Sequence, residues 1–280
     1  MKKLLVFCLI AGIIQATVLA AFAAELSIDI IVENEIINYN DPAHPLIINI
    51  PAVPSAGSNT YGYVAVSNGS ILPFSIYRNS EVIFITPRTG TFGVVNNASV
   101  FTDTAGHWAE NNIIFASARE LFSGVGNDLF APNAPMTRAM FVQVLANIEN
   151  ADLTAYTVSR FTDVSTNAWY MSAIEWAAET GLASGVGDGL FDPSANITRE
   201  QMARMLVNYI EYRQFTLPLN NASTFNDESS VSAWALDPVR TLHQAGVVGG
   251  RAGNIFDPQG IATRAEAATV FMQFITALFN

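Results

Sequence analysis

The middle of the chain, residues 161–199, reads FTDVSTNAWYMSAIEWAAETGLASGVGDGLFDPSANITR. It opens with Phe-Thr-Asp, continues through a tryptophan, a Gly-x-Gly segment and a Phe-x-Pro step, and closes on Thr-Arg. A similar series occurs twice more. Repeats with a period of this length indicate that the fold is built from several copies of one structural unit. The three copies open at Phe101, Phe161 and Phe225, which are 60 and 64 residues apart.

From the tryptophan onward the three copies align without a gap. Each Thr-Arg threonine lies 29 residues after its tryptophan. Within the series from the opening phenylalanine to Thr-Arg, all variation in length therefore falls between the aspartate and the tryptophan, which predicts a surface loop there. The equivalent positions are Trp108, Trp169 and Trp234; Gly124, Gly185 and Gly250; Phe130, Phe191 and Phe256; and Thr137, Thr198 and Thr263.

Each copy has the pattern of two helices around a turn. The glycines after the first helix predict a left-handed residue at its C-terminus. The threonine predicts the N-cap of the second helix, and Gln201 and Glu266 complete a capping box where Met140 does not. One helix pair cannot bury its own apolar face, so the three copies must pack together. The apolar stripe of the second helix is Phe141, Val144, Leu145 and Ile148 in the first copy.

This series resembles the S-layer homology repeat over residues 101–280. The resemblance implies three tandem helix-loop-helix repeats that form a pseudo-threefold helical prism. It also implies non-covalent anchoring of an exported protein to the bacterial cell wall, by binding secondary cell-wall polysaccharide, typically at a pyruvylated sugar, in grooves between repeats. The family's Thr-Arg-Ala-Glu motif is complete at residues 263–266 but ends in Gln201 in the second copy and Met140 in the first.

Arg138, Arg199 and Arg264 open the second helices and are the first candidates for binding the glycan. An arginine opposes the helix macrodipole at this position, so its presence in all three copies indicates a use beyond folding. Its planar fork can pair with a carboxylate, and nearby helix-start amides would add donors for the same anion. The alternative is that each arginine pairs with an opening aspartate and only braces the repeat.

Nine further residues complete the candidate glycan site. The tryptophans would either stack on a sugar face or hold the entrance of the first helix. The aspartates would either contact sugar hydroxyls or serve as caps and loop closures. The Gly-x-Gly segments would admit a ligand to the backbone amides, although capping of the first helix alone would explain the first glycine of each segment. These residues are Trp108, Trp169, Trp234, Asp103, Asp163, Asp227, Gly126, Gly187 and Gly250.

The segment before the repeats differs from them in pattern. Short strand-like runs cover residues 61–66, 71–77, 81–86 and 91–95, with 26–32 and 46–50 as additional strands, and turn residues separate them. We therefore expect a mainly α protein with a small antiparallel β meander at residues 24–100. The repeats then occupy residues 101–160, 161–224 and 225–280.

Residues 1–23 have the layout of a secretory signal peptide, with Lys2 and Lys3 before an apolar run and a small-x-small end at Ala23. An uncleaved membrane anchor is the alternative, because the run is long enough to span a bilayer. After cleavage no cysteine remains, since Cys8 lies in this segment. The remaining chain would contain eleven arginines and 24 acidic residues, which gives a formal charge of about −13. This charge disfavours nucleic acid and anionic membranes as partners.

We expect no enzyme activity, cofactor or metal. The three histidines, His44, His107 and His243, lack the spacing of a metal site. The chain has no phosphate-binding glycine loop and no Gly-x-Ser-x-Gly motif. The expected partner is cell-wall polysaccharide. A surface-layer or protein-binding module without a glycan ligand is the alternative function.

Overall fold

The structure is a computed structural model that describes residues 45–280 and, before them, only the backbone of residues 26–28, 30–32 and 35–37. The predicted signal peptide and His44 lie outside the described residues. The chain divides into two compact units, Met1–Ser99 and Val100–Asn280.

The first unit consists of short strands in antiparallel sheets. The strands are β1 (Leu26–Ile28), β2 (Ile30–Val32), β3 (Glu35–Ile37), β4 (Leu46–Pro51), β5 (Tyr63–Ser67), β6 (Ser70–Leu72), β7 (Ser75–Arg78), β8 (Glu81–Thr86) and β9 (Gly90–Asn96). One sheet has the order β1-β9-β5-β6, a second has the order β4-β8-β7, and β2 pairs with β3.

The two larger sheets share one hydrophobic core. Phe84 on β8 and Phe92 on β9 are buried, and their ring centroids lie 4.9 Å apart. The predicted single meander is therefore wrong. The expected strand at 71–77 divides into β6 and β7 around Pro73, which has no N–H to donate to a ladder. The chain changes sheet at this point.

The second unit holds six helices within the described residues. They are α1 (Glu110–Ala118), α2 (Arg138–Glu149), α3 (Met171–Glu179), α4 (Arg199–Tyr212), α5 (Leu236–Gln244) and α6 (Arg264–Ala277). Thr137, Thr198 and Thr263 cap the second helices of the three repeats, and α4 and α6 have capping boxes, as predicted. The predicted apolar stripes of these helices are buried.

The three repeats close into a ring. The second helix of each repeat packs on the first helix of the next, so α2 contacts α3, α4 contacts α5, and α6 returns to α1. Three backbone hydrogen bonds complete the ring in the segments before the second helices. Met136 donates to Ala262 at 2.8 Å, Ala262 donates to Ile197 at 3.0 Å, and Ile197 donates to Met136 at 2.8 Å. All three residues are fully buried.

The expectation of a mainly α fold is wrong. The described part of the first unit contains strands and no α-helix, and its strands form two sheets of three or more strands besides the β2–β3 pair. Within each repeat, the first helix is only nine residues long and long loops join the elements. The chain therefore combines a β unit with a helical unit.

Candidate functional site

The arginine that opens each second helix reaches into the next repeat of the ring. The Nε of Arg138 donates to the carbonyl oxygen of Phe191 at 3.0 Å, and its Nη2 donates to that of Ser184 at 2.9 Å. Arg199 and Arg264 make the equivalent bonds. Their acceptors are Phe256 at 2.6 Å and Gly249 at 2.8 Å, and Phe130 at 2.8 Å and Ser123 at 2.7 Å.

These arginines are buried at the junctions between repeats. Arg138, Arg199 and Arg264 are only 5%, 6% and 6% exposed. Burial lowers the pKa of each guanidinium from its ordinary value, although nearby carboxylates act in the opposite direction. Arg199 has an ion pair, with Glu266 at 3.1 Å. In the described part of the chain no carboxylate lies within 4.0 Å of Arg138 or Arg264.

The opening aspartates close the Phe-x-Pro loops. The Asp103 carboxylate accepts hydrogen bonds from the amides of Phe130 at 2.8 Å and Ala131 at 2.7 Å. Burial alone would raise the pKa of Asp103, but these two bonds and the charge of Arg264 outweigh it and lower the pKa. Asp163 and Asp227 make the same pairs of bonds. Of the expected alternatives, the geometry therefore matches loop closure.

The helix-start amides expected to bind an anion are already used. The amide of Arg138 donates to Ala195 at 2.9 Å, and that of Ala139 donates to Pro193 at 3.1 Å. The next amide, of Met140, donates to the Thr137 hydroxyl. The other two second helices have equivalent bonds, so these amides are not available to a ligand. The expectation that they add donors is wrong.

The glycines have two different roles, and neither is the predicted helix cap. The first helices end earlier, before left-handed residues at Glu120, Gly181 and Gly246. Gly250, like Gly124 and Gly185, allows the chain to pass close to an opening phenylalanine. Gly126 and Gly187 instead adopt φ of 100° and 111° in the following turn, with open space around them. Gly250 is therefore not equivalent to Gly126 and Gly187.

Two cavities lie where three repeats meet. In the Arg138 groove, a cavity of about 830 Å³, Arg138 of the first repeat faces residues 180–186 and α4 of the second, and Trp234 comes from the third. The Arg199 groove, about 560 Å³, combines Arg199 with residues 246–251, α6 and Trp108 in the same relation. By the same order of repeats, Arg264, α2 and Trp169 define the third equivalent position, which we call the Arg264 groove.

The groove tryptophans present their rings to solvent. Trp108 is 64% exposed, Trp169 is 63% exposed and Trp234 is 50% exposed. Leaving so large an apolar side chain exposed in all three repeats is unfavourable for folding alone. The three rings are therefore accessible to a ligand, and their stacking on a sugar stays a prediction.

Several groove residues were missed from the sequence. Gln201 and Arg204 line the Arg138 groove, and Glu266 and Arg251 line the Arg199 groove. Gln201, Arg204 and Asn208 follow helical spacing on one face of α4, which is a usable sequence signal. No sequence signal shows that these residues share a groove with an arginine of the preceding repeat, because that arrangement depends on the order of the repeats around the ring.

Comparison with known proteins identifies the repeats. The profile of the S-layer homology domain matches residues 100–140, 160–203 and 224–268. The chain contains three tandem S-layer homology domains. It is 33% identical over 182 residues to "Exoglucanase XynX" of Acetivibrio thermocellus, covering 64% of this chain and 16% of that protein.

Two further relatives are similar to the chain over a comparable length. "Amylopullulanase" of Thermoanaerobacterium thermosulfurigenes is 34% identical over 193 residues, which is 69% of this chain and 10% of that protein. "Surface-layer 125 kDa protein" of Lysinibacillus sphaericus is 28% identical over 199 residues, covering 67% and 16% respectively. The chain thus spans between a tenth and a fifth of the length of these relatives.

These matches define the class of protein. The S-layer homology domains and the surface-layer relatives make the chain a secreted, cell-wall-associated protein with a cell-surface anchoring module. Among the residues that the structure describes, no helix is long and apolar enough to cross a membrane.

Proposed function

We propose that the S-layer homology unit holds the protein to the wall by binding secondary cell-wall polysaccharide in the grooves between repeats. The observation that carries this proposal is the composition of the grooves: a buried arginine from one repeat and an exposed tryptophan from another meet beside a cavity. Sugars offer an apolar ring face to an aromatic side chain, and acidic sugars offer a carboxylate to a guanidinium.

The size and charge of the grooves support this ligand. Cavities of 560 and 830 Å³ fall within the roughly 300–1,000 Å³ usual for ligand sites. The protein as a whole is acidic, so bulk attraction does not bring an anionic polymer to it. Locally placed arginines would supply the attraction, which makes binding depend on a few defined positions.

Sedimentation with wall sacculi tests the proposal. The full chain is mixed with sacculi of Lysinibacillus sphaericus before and after chemical extraction of the secondary polysaccharide. We expect binding only before extraction. A variant with Trp108, Trp169 and Trp234 all changed to alanine should lose at least about tenfold in affinity, since tryptophans buried on binding commonly contribute about 2 kcal/mol or more.

The control is Leu219→Ala, which removes another large exposed apolar side chain, 58% exposed, that does not line either groove. It should bind like the unchanged protein. Equal binding to extracted sacculi, or full binding by the triple tryptophan variant, would contradict the proposal. Assembly into protein arrays without any sacculus binding would favour the surface-layer alternative.

A further inference from the structure

His243 lies at the end of α5 with both of its ring nitrogens facing main-chain carbonyl oxygens. Its Nε2 lies 2.8 Å from the oxygen of Ser223, and its Nδ1 lies 3.3 Å from the oxygen of Val248. A carbonyl oxygen only accepts hydrogen bonds, and a neutral imidazole has a single N–H to donate. Both contacts are therefore hydrogen bonds only when the ring is protonated and carries an N–H on each nitrogen.

Two further features of this position favour the protonated ring. The imidazole lies over the ring of Phe225, with the two centroids 4.0 Å apart and the planes 33° from parallel, and a cation is attracted to an aromatic face. His243 is also in the last turn of α5, where the free carbonyl groups of a helix end favour a positive charge. The carbonyl oxygens, the aromatic face and the helix end therefore all favour the same charge state.

The charged groups near His243 are paired with one another. Those that share a cavity with it are Glu228, Arg240, Arg199, Arg251 and Glu266. Arg240, one turn earlier on α5, would repel a charged ring, but it forms a two-bonded ion pair with Glu228 at 3.0 and 2.6 Å. Glu266 accepts from both Arg199 and Arg251. Within the described chain no carboxylate lies within 4.0 Å of His243, so its proton is held by carbonyl oxygens and not by an acid.

The two carbonyl groups belong to different segments of the third repeat. Ser223 lies in the linker that joins α4 to the opening Phe225, and Val248 lies in the loop that follows α5. The residue after it, Gly249, accepts from Nη2 of Arg199 at 2.8 Å, so this loop forms a wall of the Arg199 groove. A protonated His243 therefore ties the groove wall to the linker, whereas a neutral ring loses one of the two bonds.

The other two repeats are built differently at this position. Ser117 and Ala178 are the equivalents of His243. In the second repeat the linker is held by Glu175, whose Oε1 accepts from the Ser159 hydroxyl at 2.8 Å and the Arg160 amide at 2.7 Å. Burial alone would raise the pKa of Glu175, but hydrogen bonds from Arg160 and Ser159 outweigh it and lower the pKa. That tie is unchanged near neutral pH, where histidine is the side chain that changes charge.

We propose that His243 is a proton-dependent positioning residue of the third repeat: its protonated ring fixes the loop at residues 246–251, and loss of the proton loosens that loop. Wall binding should therefore be tighter in mildly acidic than in alkaline surroundings, a regulation that rests on the proposed function. His107, beside Trp108, provides a contrast. Its Nδ1 accepts from the Ala109 amide at 3.2 Å, and an acceptor nitrogen carries no proton.

Sacculus binding by the full chain at pH 6 and pH 9 tests the proposal. We expect the unchanged protein to bind roughly two- to fivefold more tightly at pH 6, the scale of a charge at a helix end. His243→Gln, which cannot titrate, and His243→Ala, which copies Ala178 of the second repeat, should lose this ratio and bind at both pH values as the unchanged protein does at pH 9. His107→Gln is the matched control and should keep at least the full ratio. Titration of the sacculi themselves affects every variant alike.

A second measurement observes the ring itself. In the full chain labelled with ¹⁵N-histidine, the His243 signals are assigned by their loss in His243→Gln, and both ring nitrogens should carry a proton at pH 6. An unprotonated Nδ1 at pH 6, or a binding ratio that persists in the two folded His243 variants, overturns the role of His243 while sacculus binding stands. If the unchanged protein binds sacculi at neither pH, the proposed function fails and this regulation fails with it.

Discussion

At the scale of single residues, the arginine that opens each second helix braces the next repeat through backbone carbonyls rather than through an opening aspartate. Its Nε and Nη2 hold two carbonyl groups of the next repeat, as Arg138 does with Phe191 and Ser184. A guanidinium has five N–H donors, so donors remain for a ligand. An arginine-to-alanine variant would lose both of these hydrogen bonds, so weaker glycan binding by that variant would not distinguish a lost ligand contact from damage to the fold.

Two of the opening aspartates, Asp103 and Asp163, couple stability to pH. The pKa of Asp103 and of Asp163 is lowered from 3.8, because amide hydrogen bonds and an arginine outweigh the opposing effect of burial. Each group then binds protons more weakly when folded than when unfolded. Its stabilising contribution is present above the unfolded pKa and is lost as the pH falls through the folded pKa.

We therefore expect the midpoint of thermal unfolding to fall as the pH is lowered from 5 to about 3. Asp163→Asn should lower the midpoint at pH 7, and its deficit relative to the unchanged protein should shrink in acid. Asp188→Asn, on an exposed turn without a side-chain hydrogen bond in the described chain, is the control. A deficit that stays constant from pH 7 to pH 3 would contradict this linkage.

The sequence predicted least about which individual residues lie together in a groove. The candidate arginines and tryptophans could be found because they recur in every copy. Along the chain, Met140 stands two residues after Arg138 in the same motif. Arg138 instead shares its groove with Gln201 of the next repeat. The four residues of the Thr-Arg motif are consecutive in the sequence. The sequence alone therefore cannot show that the arginine and the last residue of one motif line different grooves.

At the scale of helices and turns, the sequence predicted most of what the structure contains. Threonine caps, capping boxes and apolar stripes depend on neighbours within four residues, so they are visible in a single sequence. The glycines were assigned wrongly because the end of a helix and a close approach both select glycine. Only tertiary contacts distinguish Gly185, packed against Phe161, from Gly187 in the open turn.

This difference predicts unequal costs for two similar substitutions. A Cβ at residue 185 would lie 2.6 Å from the Leu190 oxygen and 2.8 Å from Phe161 Cε1, so Gly185→Ala should destabilise the unit by about 1–3 kcal/mol or more. Gly187→Ala meets no atom within 4 Å and adds only the strain of an alanine at a φ of 111°, about 1–2 kcal/mol. Urea unfolding of both variants measures the difference, and a larger loss for Gly187→Ala would refute the assignment.

At the scale of the whole molecule, the fold class was misjudged because the repeats dominate the sequence pattern. The alternating strands before them are short, and their order in two sheets depends on contacts between distant residues such as Phe84 and Phe92. The closure of the ring also depends on contacts between residues far apart in the sequence. The sequence required the three repeats to pack together, but the return of α6 to α1 is a contact between the two ends of the unit.

The closed ring predicts that the repeats fold together. A fragment of residues 100–280 should unfold in one cooperative transition. A fragment of residues 100–224 should show none, because α1 loses α6 and α4 loses α5, which leaves buried residues such as Ile113 uncovered. Circular dichroism during heating compares the two. A cooperative transition in the shorter fragment would show that two repeats suffice.

The head-to-tail order of the ring also bears on ancestry. Three separate copies of one such repeat would present the same surfaces in the same order and could close as a cyclic trimer. That trimer would have three identical grooves. Fusion into one polypeptide frees each copy to diverge, and Met140, Gln201 and Glu266 record such divergence at a single position. A gene that encodes all three copies can therefore evolve specificity for several parts of a polymer, which a symmetric assembly of one repeat cannot do.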